Sequence, residues 1–483
     1  MTMMVRYSSL EDARRISVQT TQSTAPRGIW LWKVCSRCIL KACNMEIFKN
    51  YETLATTPLR RDALSIMGAG LSAIDTRKAI LQSVSLHNDL LKVAGVQYDL
   101  KVYKQLYILG AGKCAGTASE ALEEILGDRI SGGLALTIGS CPILRRIKGA
   151  CGDHPMPTER NVQATEELLS IAKCADENDL VLMIVSGGGS TLLCQPDSHT
   201  CQSEAELLKC LFRKGATINE INIVRKHLSL ARGGYLAKMA YPATLHALIF
   251  SDVPGNDISS VASGPTTRDL TTTQDARKIL TNYATEDSCG FDGESLIETP
   301  KEDIYFAKTV NSLIVSNNVA LLAMLEQAKV LGYDAKIMDD KMEGEARDRG
   351  SDLARQIKEG KRGEALLYGG ETTVTLRGEA KDKTCTLDSC GGRNRELALS
   401  ALSSLGEDTL VMALASDGRD NGDMAGAIAD KPAIDNAQSL GLNMHEYLDG
   451  NASGTFFQKI GAEVYTGDTG SNVSDLTLSL KSK

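Results

Sequence analysis

Short, wholly apolar runs recur along this chain, and helix-length segments fill the intervals between them. Residues 106–110, 134–138, 180–185 and 245–250 read as strands, the run at 180–185 as one buried on both faces. Residues 113–126, 161–172, 204–212 and 218–230 read as helices, and 313–315 and 320–330 add a further strand and helix. Alternation of this kind means a parallel sheet covered by helices on both faces. A helical repeat also begins near residue 58, placing Ala63, Ile66, Met67, Leu71 and Ile74 at helical spacing. The polar stretch 269–303 reads as a helix plus a surface connection. A second α/β segment starts near residue 365, with strands at 366–368, 373–376 and 410–415 and a helix at 395–405. The charged stretch 342–362 reads as a solvated helix leading into it. At 483 residues the chain exceeds one ordinary core, so two or three domains are expected.

Bulk properties exclude some partners. A net charge of −8 provides no drive for counterion release, so nucleic acid is not an expected ligand. No stretch approaches the roughly 20 apolar residues that span a bilayer, so no membrane partner is expected. The first fifty residues stand apart, with eight Lys or Arg against three acids. Residues 1–57 read as a basic tail that suits either a mitochondrial transit peptide or a plain disordered segment, which leaves a cytoplasmic or a mitochondrial location. The thirteen cysteines are an odd number without a secretory signal, which fits reduced thiols in an intracellular compartment. Cys35 and Cys38, with Cys43 close by, form a C-x-x-C that lacks a second ligand pair at metal spacing.

The chemistry gathers at strand ends, where ligands collect in open α/β sheets. Ser186-Gly187-Gly188-Gly189-Ser190 empties from the 180–185 strand, and three glycines leave backbone N–H groups bare for an anion. A helix starting just after would add its positive end. Gly110-Ala111-Gly112-Lys113 ends the first strand, but its spacing is neither a dinucleotide fingerprint nor a P-loop. A lysine at a helix start is repelled by the helix dipole, so Lys113 is better placed to serve a ligand's negative charge. Asp252 and Asp257, six positions apart at most, could hold a hard cation, accept a hydroxyl proton, or cap turns. Gly370-Glu371-Thr372, Gly391-Gly392-Arg393, Ser416-Asp417-Gly418 and Thr469-Gly470-Ser471-Asn472 repeat the pattern in the second half. Arg393 offers either a forked donor to a carboxylate or phosphate, or a salt bridge at a helix start.

In this order the segments resemble the glycerate kinases of the MOFRL type, also called class II. The resemblance runs from about residue 58 to 478 and includes Gly152-Asp153-His154-Pro155-Met156-Pro157 as a G-H-P-x-P segment with an insertion. It implies an α/β protein of two domains: a larger Rossmann-like, parallel-sheet N-terminal domain (58–340) and a smaller α/β MOFRL domain (341–483, with a linker helix at 341–362), the active site lying in the cleft between. It also implies ATP-dependent phosphorylation of D-glycerate to 2-phosphoglycerate, by a monomer or homodimer that meets only small-molecule substrates.

On that reading, Lys113, Asp252 and Arg393 form the polar centre. ATP phosphates would lie on Gly187, Gly188 and Gly189 with Ser186 and Ser190, joined by Gly110, Gly112 and Asn472. Mg²⁺ would be held by Asp252 or Asp417, and glycerate by Arg393 and Lys113 with Glu371 and Asp417 nearby. The sequence departs from the family pattern at Thr191, Asn256, Arg395 and Asp468. Asn256 puts a metal role there in doubt, and Arg395 would alter charge near the substrate. Two other readings are an NAD(P)H-dependent hydroxypyruvate reductase, disfavoured by the missing dinucleotide fingerprint, and a nucleotide-binding protein without catalysis.

Overall fold

The computed structural model describes residues 45–253, 255, 257–285, 289–291, 293–376 and 391–483. The C-x-x-C at Cys35 and Cys38, most of the basic tail, and Asn256 lie outside the described residues. Residues before the expected tail boundary at 57 already pack into the fold. Phe48 is buried, and the Lys49 N–H donates to Tyr465 O at 2.7 Å.

Helix α1 (Pro58–Ala73) starts as its sequence dictates, with Pro58 in the first turn and the Thr57 side chain accepting from the Arg60 N–H. A small antiparallel sheet follows: β1 (Val84–His87), β2 (Leu90–Val93) and β3 (Val96–Asp99). The first large sheet then builds from β4 (Leu106–Ala111), β5 (Gly132–Ile138), β6 (Lys148–Gly152), β7 (Leu180–Ser186), β8 (Thr244–Phe250) and β9 (Thr309–Val315). Its order is β6-β5-β4-β7-β8-β9 and every pairing is parallel. All seven residues of β7 are buried, as the unbroken apolar run requires. Helices α2 (Ala115–Leu126), α3 (Glu159–Cys174) and α4 (Ile218–Lys226) connect these strands, the last ending four residues before the expected 230.

The chain starts this sheet near its middle, grows outward through β5 and β6, then returns to lay β7 on the other side of β4. Strand order therefore reverses between β4 and β7, the topological switch point where open α/β sheets bind ligands.

Helix α5 (Asn317–Val330) leads to the second sheet: β10 (Asp334–Met342), β11 (Glu364–Gly370), β12 (Thr409–Ala415), β13 (Gly426–Asp430), β14 (Glu463–Val464) and β15 (Asp475–Lys481). The order is β10-β11-β15-β12-β13-β14; β10 and β11 are parallel and the remaining pairs antiparallel. Helices α6 (Ala346–Glu359) and α7 (Arg393–Leu402) pack against each other and against β12. Three expectations differ here. The stretch 342–362 is not one helix, because Met342 still belongs to β10, so a boundary at 340/341 cuts a strand. Residues 373–376 form no strand; only Thr373 bridges, to Glu345. The helix expected at 395–405 runs from Arg393 to Leu402.

The two sheets are not independent bodies. Helices α1 and α5 pack on each other and on the second sheet, and one apolar cluster runs from Ile108 and Leu182 through Met67 and Met324 to Leu410 and Leu478. Arg60 of α1 makes a buried two-pronged ion pair with Asp430 of β13, at 2.7 and 2.8 Å. The expectation of reduced thiols fails at four positions, where Cys141 is bonded to Cys151 and Cys210 to Cys289. Spacing hid both, because the fold and not the sequence interval brings their Cα atoms to 5.0 and 6.1 Å. Among the described residues, no helix is long and apolar enough to cross a membrane.

Candidate active site

The turns leaving β4 and β7 are side by side because their strands are parallel neighbours in register, Leu106 opposite Leu180 and Ala111 opposite Val185. Lys113 N–H donates to Gly187 O at 2.9 Å and Cys114 N–H to Ser186 Oγ at 3.3 Å. The Lys113 side chain is exposed and makes no ion pair with any described residue. Gly188 sits at φ +82°, a left-handed backbone that glycine adopts without strain. A Cβ on Gly187 would fall 2.1 Å from Asp252 Oδ2, so only glycine lets that carboxylate press against the bend. The helix after the bend is a single turn, Gly189–Leu192, so bare amides rather than a long dipole characterise the bend. Ser190 Oγ accepts from Ser263 Oγ at 2.9 Å, which leaves the Ser190 proton available. Gly110 lies buried inside β4, paired with Ala135 and Ile184, and belongs to the sheet rather than the turn.

Asp252 follows β8, and its carbonyl accepts from Ser474 Oγ at 3.2 Å. Burial raises its carboxyl above the usual range; its own backbone N–H and Lys113 oppose this, and the Glu371 carboxylate adds to it. Glu371 marks the second sheet's contribution. Because β15 runs antiparallel between β11 and β12, its first residue, Asp475, stands opposite both Gly370 and Ala415, the last residues of those strands. Three acidic strand ends thereby share one edge.

Arg393 opens α7 and grips Asp475 with two prongs, Nε and Nη2, the latter 3.0 Å from Oδ1, while Nη2 also lies 3.1 Å from Glu371 Oε1. Burial alone would lower the Arg393 pKa, but Asp475, Glu371 and Asp420 outweigh it and push it up. Burial likewise lifts Asp475, up to about 7, against the pull of Arg393; with both prongs on it, the ionised pair is what the geometry holds. The forked donor expected for a ligand is therefore already engaged, and Arg393 fills the salt-bridge role. Arg395 is also not where it was expected to act. It is fully buried, with Nε 3.2 Å from Asp420 Oδ2, and it faces away from solvent because that carboxylate also caps the start of α7.

A cavity of about 350 Å³ lies where the two sheets' edges meet. Lys113, Ser186 and Gly187 line it from the first sheet, and Asp417, Asp468 and Asn472 from the second. Asn472 Oδ1 accepts from the Ser474 N–H at 3.0 Å, and Asp417 Oδ1 from the Arg419 N–H at 2.9 Å. Asp252 stands behind Gly187 rather than on the lining.

Comparison with known proteins agrees with this arrangement. A profile described as "Domain of unknown function (DUF4147)" matches residues 62–291, and the MOFRL family matches residues 364–475. The chain is 35% identical over 443 residues to Glycerate 2-kinase of Pyrococcus horikoshii, covering 87% of this chain and 97% of that one. It is 34% identical over 398 residues to D-glycerate 2-kinase of Thermotoga maritima, covering 78% and 90%. The crystal structure of a glycerate kinase from Thermotoga maritima matches at a TM-score of 0.76 and 32% identity, over 88% of this chain and 99% of that one. The chain belongs to the MOFRL-type glycerate kinase family.

In this MOFRL-type chain the cavity draws on both matched regions, Lys113 and Gly187 from one and Asp417 and Asn472 from the other. Sequence reasoning missed Thr76, His154, Arg419 and Ser471 as wall residues. His154 carried a signal, since it stands in the Gly- and Pro-bounded segment before α3. Its pKa is lowered by burial first, then by Lys113 and Arg225. Thr76 carried none; it faces the site only because Ser471, 395 positions away, lies 3.0 Å from its hydroxyl. Among the described residues no three His, Cys, Asp or Glu side chains converge as a metal cage. Magnesium takes one or two carboxylates when phosphate oxygens complete its shell, so Asp417 on the wall is a hard donor that fits that ion, while Asp252 stands behind the wall.

Proposed function

We propose that this chain is a glycerate 2-kinase, transferring the γ-phosphoryl group of ATP to the 2-hydroxyl of D-glycerate. The observation that carries the reading is a cavity at which a lysine without an ion pair to any described residue and a bare glycine bend from one sheet meet acidic strand ends from the other. Phosphoryl transfer needs positioning and charge neutralisation more than covalent chemistry. The amides of 187–189 and the Ser190 hydroxyl hold phosphate oxygens. Lys113, which makes no ion pair with any described residue, neutralises charge on the transferred group. Asp252, raised by burial and pressed against Gly187, is the group suited to take the hydroxyl proton. Asp417 reaches the cavity from the other side and would hold the magnesium ion. A magnesium ion held there supplies charge neutralisation along the phosphate chain. Arg393 acts by fixing Asp475 and Glu371 rather than by touching substrate.

The test is turnover with ATP, Mg²⁺ and D-glycerate, with phosphorus NMR of the product to distinguish the 2- from the 3-position. Asp252→Asn is expected to lower kcat by about 10²-fold or more with little change in melting temperature. Near wild-type turnover in Asp252→Asn and Lys113→Ala together would defeat these roles. NADH oxidation with hydroxypyruvate, in place of phosphoryl transfer, would replace the reading with a reductase.

A further inference from the structure

Behind the glycine bend the buried charges do not balance. Arg232 is fully buried, with Nη1 2.8 Å from Glu204 Oε1, yet its Nε and Nη2 have no hydrogen-bond partner among the described residues. Arg225, in the last turn of α4, makes no hydrogen bond or ion pair through its side chain with any described residue, and its Nε is buried and unmatched. Arg232 Nη1 also donates to Arg225 O at 3.2 Å, so the two guanidinium-bearing residues are neighbours, and the buried carboxylate beside them, Glu204, pairs with Arg232. One cation is left over, and a buried donor without a partner is costly unless something fills it.

Several contacts tie the segment that carries Arg225 to the candidate active site, with Arg225 standing behind the cavity wall rather than on it. Helix α4 packs beside the turn Val261–Ser263, whose Ser263 hydroxyl donates to Ser190. Ser229, just past α4, donates to Leu193 O at 2.8 Å, tying the segment after α4 to the segment after the glycine bend. Thr191 in turn donates to Pro155 O at 3.3 Å, which draws His154 to the same bend. A Cβ on Gly188 would lie 3.4 Å from Lys113 Cγ and 3.7 Å from His154 Cδ2. Arg225 and Lys113 both make their charge felt at the His154 ring on the cavity wall.

We infer that Arg225 is the anchor for the carboxylate of the acid substrate, with Arg232 and Glu204 fixing its position from behind. A planar guanidinium matches a carboxylate with two parallel donors, which a lysine cannot do. Of the other forked cations, Arg393 has its prongs on Asp475 and Glu371, and Arg419 stands exposed on the wall that the second sheet supplies. The phosphate side is already served by Lys113 and the bend amides. The inference rests on the kinase reading only for which acid is bound.

The experiment uses the full chain with Arg225→Gln and Arg225→Lys. KM for D-glycerate is expected to rise about ten- to a hundredfold in Arg225→Gln, with KM for ATP within about twofold. Arg225→Lys recovers part of that loss. Wild-type preference for D-glycerate over D-glyceramide, which lacks the charge, collapses in Arg225→Gln. In thermal-shift measurements, D-glycerate stabilises the wild type but not Arg225→Gln, whereas ATP stabilises both. A rise in KM for ATP with KM for D-glycerate unmoved would assign Arg225 to the nucleotide phosphates and overturn the inference. Unchanged constants, or a D-glycerate shift that is equal or absent in both proteins, would also overturn it. A wild type inactive on D-glycerate would sink the kinase reading, while a D-glycerate shift lost only in Arg225→Gln would still support the anchor.

Discussion

The two large sheets solve the same problem differently. In the first, six parallel strands point their carboxyl ends to one edge, so every turn there leaves a strand in the same direction. In the second, β15 enters antiparallel at the centre, and a strand beginning, Asp475, sits among the strand endings Gly370 and Ala415. The first edge carries Lys113, exposed and without an ion pair to any described residue; the second carries Arg393, gripped by Asp475 and Glu371. A parallel edge leaves its cation open to a ligand. A mixed edge brings carboxylates from opposite strand ends close enough to consume its own.

The largest expected effect separates the two cations. Lys113→Ala should lower kcat/KM by about 10³-fold, roughly 4 kcal/mol of transition-state stabilisation, while leaving the melting temperature unchanged. Arg393→Ala should do the reverse in kind. Leaving the buried Asp475 unpaired is expected to destabilise the protein by about 3 kcal/mol in urea unfolding. If Arg393→Ala melts like the wild type, the contrast between open and occupied cations breaks.

Acid should loosen the parallel sheet through His246 of β8. Burial pushes this histidine down to about 4, with Tyr98 and Ser312 on its two ring nitrogens at 2.8 Å. An unfolded histidine takes a proton near 6.5, so below that pH the unfolded chain binds more protons and stability falls as pH drops towards 4. By pH 5 the loss from this group is about 2 kcal/mol. Urea titrations between pH 7 and 5 should show that slope, and His246→Gln should flatten it. The smallest effect sharpens the local end of the comparison. Thr158 caps α3 through a capping box, and Thr158→Ala should cost about 1 kcal/mol without changing kinetics.

Much of the first sheet was legible in the sequence. Its apolar runs fall on β4, β5, β7 and β8, and the glycine bend and Asp252 stand where strand ends were expected. The second sheet was less so. The strands β13, β14 and β15 and the lost strand at 373–376 show where periodicity stops reporting, because β15 finds its partners 60 or more positions back along the chain. Arg393 and Arg395 read alike in sequence, each beside glycines at a helix start. One rests on Asp475, 82 positions on, and the other is buried on Asp420.

What the residues alone determined is local: which runs become strands, which become helices, and which turns can curl, since side-chain period and glycine's backbone freedom act over a few positions. Which charges stay open was decided only in three dimensions. Electrostatic partnership depends on distance through space, and the meeting of the two sheets' edges set those distances for Lys113 and Arg393.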